Sequence, residues 1–582
     1  MAYEKFRQID RELEDRPPKP AIYDTEGAPL YEGPYQELFG AIVARNDVEA
    51  LHRYNESPNT RVFWRAYEVH YWNPFVIAGN KGSFDALRAL VEIYLADSTL
   101  TEPLDKYLER LEYSLMNAAC VHANSEMVTW LLERDPPLGT LHDRDVYGET
   151  PLFCAAGALG RGRREDASYE RKEEFFYWLL DRGTSVRDSD VYHGYQEEPD
   201  QPPKLKDTVL SAAISSASYN MVSRIIAEGA DVHARQTWFN QFGSIEDAEQ
   251  VTVTHIASMF WNLEGLKALA DHCGAGFADM LSASDSGGRI PLHWALVGFR
   301  YLPCNEPLEE VASTMPSTVK MLLETNPSTI NMRDQDGCTV FHYAVKTEAG
   351  CSSILPTLKL LFDARPDPTI INARNSEDAT ALEDSIVEHA SCDGHMMEIL
   401  DILLTNGANG RLRDKKGQNI LHKLAIYSRG YEPIDPATVD RLVGVVGVND
   451  ADEDGCTVLH YMVRSLGHID AVRRLISHGT DVNAVNGQGD TPLHEVMRGT
   501  LIKKANHDTI PKEVRAEILD KARGDMISLL RDAGASMEIR NAAGKTPPQL
   551  REAIVEAAER ARQEDARRRA SRARGGRGRG RG

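Results

Sequence analysis

Six histidines recur along this chain of 582 residues: His255, His293, His342, His422, His460 and His494. Imidazole is the commonest metal ligand near neutral pH, so the series first reads as a metal array. Geometry argues against that reading. Zinc ligands must all reach one ion within about 2.1 Å, whereas equivalent residues of adjacent stacked helices lie roughly 8–10 Å apart. Structural histidines bonded to neighbouring loops fit the spacing better, and no metal or other cofactor is expected. The eight cysteines (Cys120, Cys154, Cys273, Cys304, Cys338, Cys351, Cys392 and Cys456) show no metal-ligand spacing, and their scatter predicts reduced thiols in a reducing compartment.

Other chemistry-bearing patterns fail on spacing. Gly544-Lys545-Thr546 lacks the glycine five positions before Gly544 that a phosphate-binding loop requires, since Ile539 stands there. Gly160-Arg161-Gly162 is followed by Arg163-Arg164-Glu165, which breaks a dinucleotide fingerprint. The chain has no Gly-x-Ser-x-Gly and no His-Glu-x-x-His. These absences favour a binding protein over an enzyme, with no small-molecule substrate expected.

The histidines close a recurrent motif. Thr491-Pro492-Leu493-His494 is its fullest form, and Thr457-Val458-Leu459-His460, Asn419-Ile420-Leu421-His422, Thr339-Val340-Phe341-His342 and Ile290-Pro291-Leu292-His293 are copies. Anchors fall at Leu38, Phe75, Leu115, Leu152, Leu210, Thr254, Leu292, Phe341, Leu382, Leu421, Leu459, Leu493 and Pro548. Thr caps a helix start and Pro suits its first turn. A second signature follows, clearest in Leu475-Ile476-Ser477-His478-Gly479-Thr480-Asp481-Val482, where an amphipathic helix ends at a glycine. Asp336-Gly337, Asp454-Gly455 and Asn486-Gly487 read as turns before the next motif.

This unit resembles the ankyrin repeat family, a β-turn or finger followed by two antiparallel helices. The resemblance implies an all-α helical-repeat solenoid of about thirteen units and a protein-protein scaffold. It covers residues 35–550, after an N-terminal extension at 1–34 and before a C-terminal helix and disordered Arg/Gly-rich tail at 551–582. The family period is about 33 residues. Excess length falls at 160–172, 187–207, 235–251, 298–316, 428–436 and 500–523, and insertions of this kind form surface loops that often carry function.

The resemblance places binding on finger tips and inner helices. Three successive fingers carry aromatics: Tyr147, then Tyr192 and Tyr195, then Trp238, Phe239 and Phe242. Such rings are favoured binding anchors; the alternative is that they pin long loops onto the stack. Later fingers are acidic at Asp334, Asp336, Asp414, Asp452, Glu453 and Asp454, which either steers a basic partner or reflects turn chemistry alone. The aromatic segment 63–72 reads as an atypical capping unit.

The net charge of −22 argues against general nucleic-acid affinity of the body. The tail is the reverse: residues 560–582 hold ten arginines against one Glu and one Asp. Its Arg-Gly run resembles the tails of RNA-associated proteins, so Arg567, Arg568, Arg569, Arg572, Arg574, Arg577, Arg579 and Arg581 are candidates for RNA contact, for nuclear import or for solubility alone. Arg568-Arg569-Ala570-Ser571 resembles a basophilic kinase substrate, which makes Ser571 a candidate phosphosite. The first twenty residues have no apolar run of a signal peptide, and no stretch approaches the roughly 20 apolar residues of a membrane span. A cytoplasmic or nuclear location is expected.

Overall fold

The computed structural model describes residues 21–23, 29–32, 35–56, 73–98, 100–110, 113–145, 148–159, 167–192, 204–239, 247–298, 314–347, 351–389, 396–428, 433–500 and 512–576. It divides into two compact units, Met1–Ser286 with Gly298–Pro307, and Gly287–Val297 with Leu308–Gly582.

In the first unit a short antiparallel hairpin, β1 (Ala21–Tyr23) and β2 (Pro29–Glu32), precedes six helix pairs among the described residues. Their inner members are Tyr35–Ala44, Pro74–Lys81, Leu115–Val121, Pro151–Leu159, Val209–Ile214 and Val253–Met259. Each packs on the next. Two fingers here are drawn out into hairpins, β3 (Ser189–Tyr192) with β4 (Lys204–Thr208), and β5 (Gln236–Trp238) with β6 (Ala248–Val251).

The second unit has inner helices Pro291–Val297, Val340–Lys346, Ala381–His389, Ile420–Tyr427, Val458–Met462 and Pro492–Arg498, each followed by an outer helix, and it ends on Pro547–Gly576. The all-α repeat expected from the motif is the observed architecture. Every anchor from Leu38 to Leu493 lies in the first half of an inner helix and is buried. The last differs: Pro548 is exposed, and Leu550 supplies the buried side chain.

The helix ends follow the local chemistry. The helix Ile469–Ser477 buries Ala471, Val472 and Leu475 at three- and four-residue spacing. It stops at Gly479, whose φ of 81° is left-handed. Gly479 N–H then bonds to the Ile476 carbonyl at 3.0 Å. The segment 500–523 includes the first half of the outer helix Lys512–Asp532, anchored by buried Arg523, which donates to the Gly499 carbonyl at 3.2 Å.

Candidate partner-binding surface

The motif histidines hold the stack together. In Thr457–His460 the Thr457 amide donates to His460 Nδ1 at 3.0 Å. An amide can only donate, so Nδ1 is the acceptor and the proton sits on Nε2. That nitrogen donates to the Asp490 carbonyl at 3.0 Å, on the residue preceding the next cap, Thr491. His342, His422 and His494 repeat the arrangement, donating to the carbonyls of Ala379, Cys456 and Lys545. The amides of Thr252 and Ile290 also reach the Nδ1 atoms of His255 and His293. Both ring nitrogens of His342, His422, His460 and His494 are thus engaged, so metal ligation would have to break a helix cap. Burial holds His342 down at about 4 and lowers His422 and His460 as well.

Other residues fill the histidine position with the same logic. Ser211 Oγ, Glu383 Oε2 and Gln549 Oε1 accept the amides of Thr208, Thr380 and Thr546. Gly544-Lys545-Thr546 is therefore a finger turn running into a helix cap. A further histidine, His468, was not singled out by the motif. It is buried, receives the Ile434 amide at 3.2 Å and donates to the Ser428 carbonyl at 2.7 Å, pinning the loop of the preceding repeat.

The fingers of the second unit share one turn. Asp334, Asn375, Asp414, Asp452, Asn486 and Asn541 each accept the amide four residues on. In five of these turns the residue three on from the Asx is a glycine at positive φ bonded back to the Asx carbonyl, as Gly455 (φ 73°) is to Asp452. The turn glycine after Asn486 is Gly489, not Gly487. Successive fingers are also joined: Glu453 donates its amide to the Lys416 carbonyl at 2.9 Å, and Gly487 donates to that of Asp454 at 2.7 Å. The carboxylates of Asp334, Asp414 and Asp452 are occupied in turns and in bonds to Tyr343, Lys423 and Tyr461. They are framework. Asp336, Glu453 and Asp454 remain exposed at the tips.

Of the aromatic finger residues, Tyr147, Tyr195 and Phe242 lie outside the described residues, as does the aromatic segment 63–72. Tyr192 ends β3, paired in register with Lys204, and Trp238 ends β5, paired with Ala248. The two hairpins are joined where Gln236 Nε2 donates to Asp207 Oδ1 at 3.1 Å. Trp238 and Phe239 are half-buried, and the Trp238 ring meets Phe260 edge-on at 6.5 Å. At least this ring packs on the repeat that follows it. Arg567, Arg568, Arg569, Ser571, Arg572 and Arg574 fall on the helix Pro547–Gly576, while Arg577, Arg579 and Arg581 lie outside the described residues.

The inner helices of the second unit carry a surface that the sequence did not reveal. Val387 and Tyr427 are exposed on the adjacent helices Ala381–His389 and Ile420–Tyr427. Ion pairs bridge neighbouring repeats on either side: Lys346 to Asp384 at 2.8 Å, and Arg464, in the turn after its inner helix, to Glu495 at 2.8 Å. Apolar periodicity through Ile420 and Leu424 marks Tyr427 as core, and only the packing shows otherwise.

Stacked helix pairs joined by turn fingers, with histidines of one repeat bonded to the next, define a helical-repeat binding protein. Residues 387–486 match the family model "Ankyrin repeats (3 copies)", and the chain is an ankyrin-repeat protein. It is similar to the probable 26S proteasome regulatory subunit p28 of Saccharomyces cerevisiae, 29% identical over 227 residues, which is 38% of this chain and 85% of that protein. It is similar to the nuclear factor NF-kappa-B p105 subunit of Gallus gallus, 27% identical over 180 residues, 30% of this chain and 17% of that one. It also resembles the transient receptor potential cation channel subfamily A member 1 of Homo sapiens, 30% identical over 96 residues, 16% of this chain and 8% of that one. Among the described residues no helix is long and apolar enough to cross a membrane.

Proposed function

We propose that this chain is a non-enzymatic scaffold that holds a protein partner against the inner helices and fingers of its second unit. One observation carries the reading. The stack's motif histidines and the carboxylates of Asp334, Asp414 and Asp452 are consumed in caps, turns and repeat-to-repeat bonds, while the inner helices keep Val387 and Tyr427 open to solvent. Groups placed for catalysis have exchangeable protons facing a cleft; these face the backbone. Exposed apolar residues on neighbouring helices are what an interface core uses. The similarity to a proteasome regulatory subunit favours a partner that belongs to a larger assembly.

The test is affinity capture with the full chain, its Val387→Glu/Tyr427→Glu variant and its Trp238→Ala/Phe239→Ala variant. The inner-face variant should lose at least one partner that the finger variant keeps. Identical partner sets for the wild type and the inner-face variant would sink the assignment.

A further inference from the structure

We infer that the inner face of the second unit takes an acidic segment of its partner, with an apolar side chain seated at Val387 and Tyr427. This deepens the scaffold reading and rests on it.

The register of the inner helices sets the layout. Counting five residues from each anchor gives Lys346, Val387, Ile426, Arg464 and Arg498, and Tyr427 is the next residue after Ile426. The inner helices of these repeats pack in that order, with Arg464 in the turn that follows Val458–Met462. An apolar pair of repeats is therefore flanked by a lysine on one side and two arginines on the other.

The ion pairs of this face are lopsided. Lys346 keeps 36% of its side chain exposed while its partner Asp384 keeps 5%. Arg464 keeps 31% against 4% for Glu495. Arg498 bonds to Asp490, which is fully buried, and to Glu495. The carboxylates sit beneath the surface and the cations lie over them. At these three pairs a ligand meets ammonium and guanidinium donors rather than the buried carboxylate oxygens, while Glu388 is exposed beside Val387. Arg464 reaches Glu495 through Nε, and a guanidinium carries five donors in all, so its terminal nitrogens can bind an incoming carboxylate.

The finger above the same repeats agrees. Its tip is Lys415-Lys416, both exposed, and neither forms an ion pair among the described residues. The tips on either side carry Glu377 and Glu453. An acidic segment is thus accepted over the helix Ile420–Tyr427 and repelled at the neighbouring tips, which sets where it lies. The chain's net charge of −22 opposes this approach only weakly, because charges beyond about 8–10 Å are screened in physiological salt.

The anchor is apolar because its floor is. Val387 is 39% exposed and Tyr427 46%. Val387 follows Asp384 by three residues and Tyr427 follows Lys423 by four, which puts each on the side of its helix that carries an ion pair, Asp384 with Lys346 and Lys423 with Asp414. An apolar side chain is the occupant that such a patch selects.

The test is selection from a displayed library of random 15-residue peptides against the full chain, with three proteins compared: wild type, Val387→Glu/Tyr427→Glu and Lys415→Glu/Lys416→Glu. All four positions are exposed, and unchanged melting curves confirm that the variants fold. Wild type should enrich peptides with Asp or Glu flanking an apolar residue. For one selected peptide, affinity should fall at least about tenfold in each variant and should weaken as salt rises, as charge-complementary contacts do. Enrichment of basic or uncharged peptides, or wild-type affinity in either variant, would overturn the inference. If the inner-face variant loses partners in affinity capture while the library shows no acidic preference, the scaffold reading stands and the acidic-segment inference falls. If capture is also unchanged, both fall.

Discussion

His460 Nε2 lies 3.0 Å from the carbonyl oxygen of Asp490 while its Nδ1 lies 3.0 Å from the amide nitrogen of Thr457. One neutral ring therefore closes a helix cap in its own repeat and ties down the finger of the next. Replacing it with alanine leaves a buried amide and a buried carbonyl unpaired. His460→Ala should cost about 2–4 kcal/mol, since each unsatisfied buried group costs about 1–3 kcal/mol. Gln549 and Glu383 perform the capping half of this role elsewhere, so His460→Gln should cost less. Urea unfolding midpoints of the two variants check the ordering.

The same burial makes the fold acid-sensitive. His342 and His468 are held down at about 4 by desolvation, below the free-imidazole value of about 6.5. The unfolded chain then binds protons that the folded chain refuses. Their contribution is complete above pH 6.5 and is lost as pH falls toward 4. Burial raises Glu383 and Asp384, which works in the opposite sense, so a difference measurement is needed. His468→Gln should show a shallower loss of stability between pH 6.5 and 4 than wild type, read from urea midpoints across that range.

Core substitutions should respect the register. Leu459 and Leu475 are fully buried in the inner and outer helices of one repeat. Either Leu→Ala change should cost about 2–5 kcal/mol. Hydrogen exchange should rise most in that repeat and its immediate neighbours, because stability in such stacks is a sum of local and nearest-neighbour terms. A wild-type melting curve would contradict the placement of these side chains.

Finger glycines should differ by their surroundings. Gly455 and Gly544 share a left-handed backbone, with φ of 73° and 70°. A Cβ on Gly455 would lie 3.1 Å from the Gly487 amide nitrogen, whereas one on Gly544 meets open space. Gly544→Ala should cost only the conformational strain of about 1 kcal/mol. Gly455→Ala should cost more, because the finger-to-finger bond must shift. Thermal unfolding of the two variants decides.

Much of this architecture was legible from short spacings. The thirteen anchors located the inner helices because cap, proline and leucine form a local pattern that needs no knowledge of partners in space. The last was displaced because Pro548 stands where leucine is usual and Leu550 takes over the packing. Asn486-Gly487 misled for a similar reason: dipeptide turn signals ignore the two-residue offset that makes Gly489 the left-handed position. The candidate surface was the least legible part. Periodicity marks apolar residues as core and cannot show that Val387 and Tyr427 lie past the edge of the packed face. Nor could it reveal which partner of each ion pair is buried.

The ninth repeat breaks the histidine series. Glu383 accepts the Thr380 amide as the histidines do, but its carboxylate, paired with Arg374 at 3.1 Å, has no proton to hand forward. Arg374 bridges instead to the Arg413 carbonyl at 2.9 Å. Repeats with histidine behave as interchangeable cassettes coupled by one standard joint, whereas the joint after Glu383 is bespoke. Glu383 and Val387 lie one turn apart on the same helix, so a partner seated at Val387 would splice the array where the joint between the His342 and His422 repeats departs from the standard.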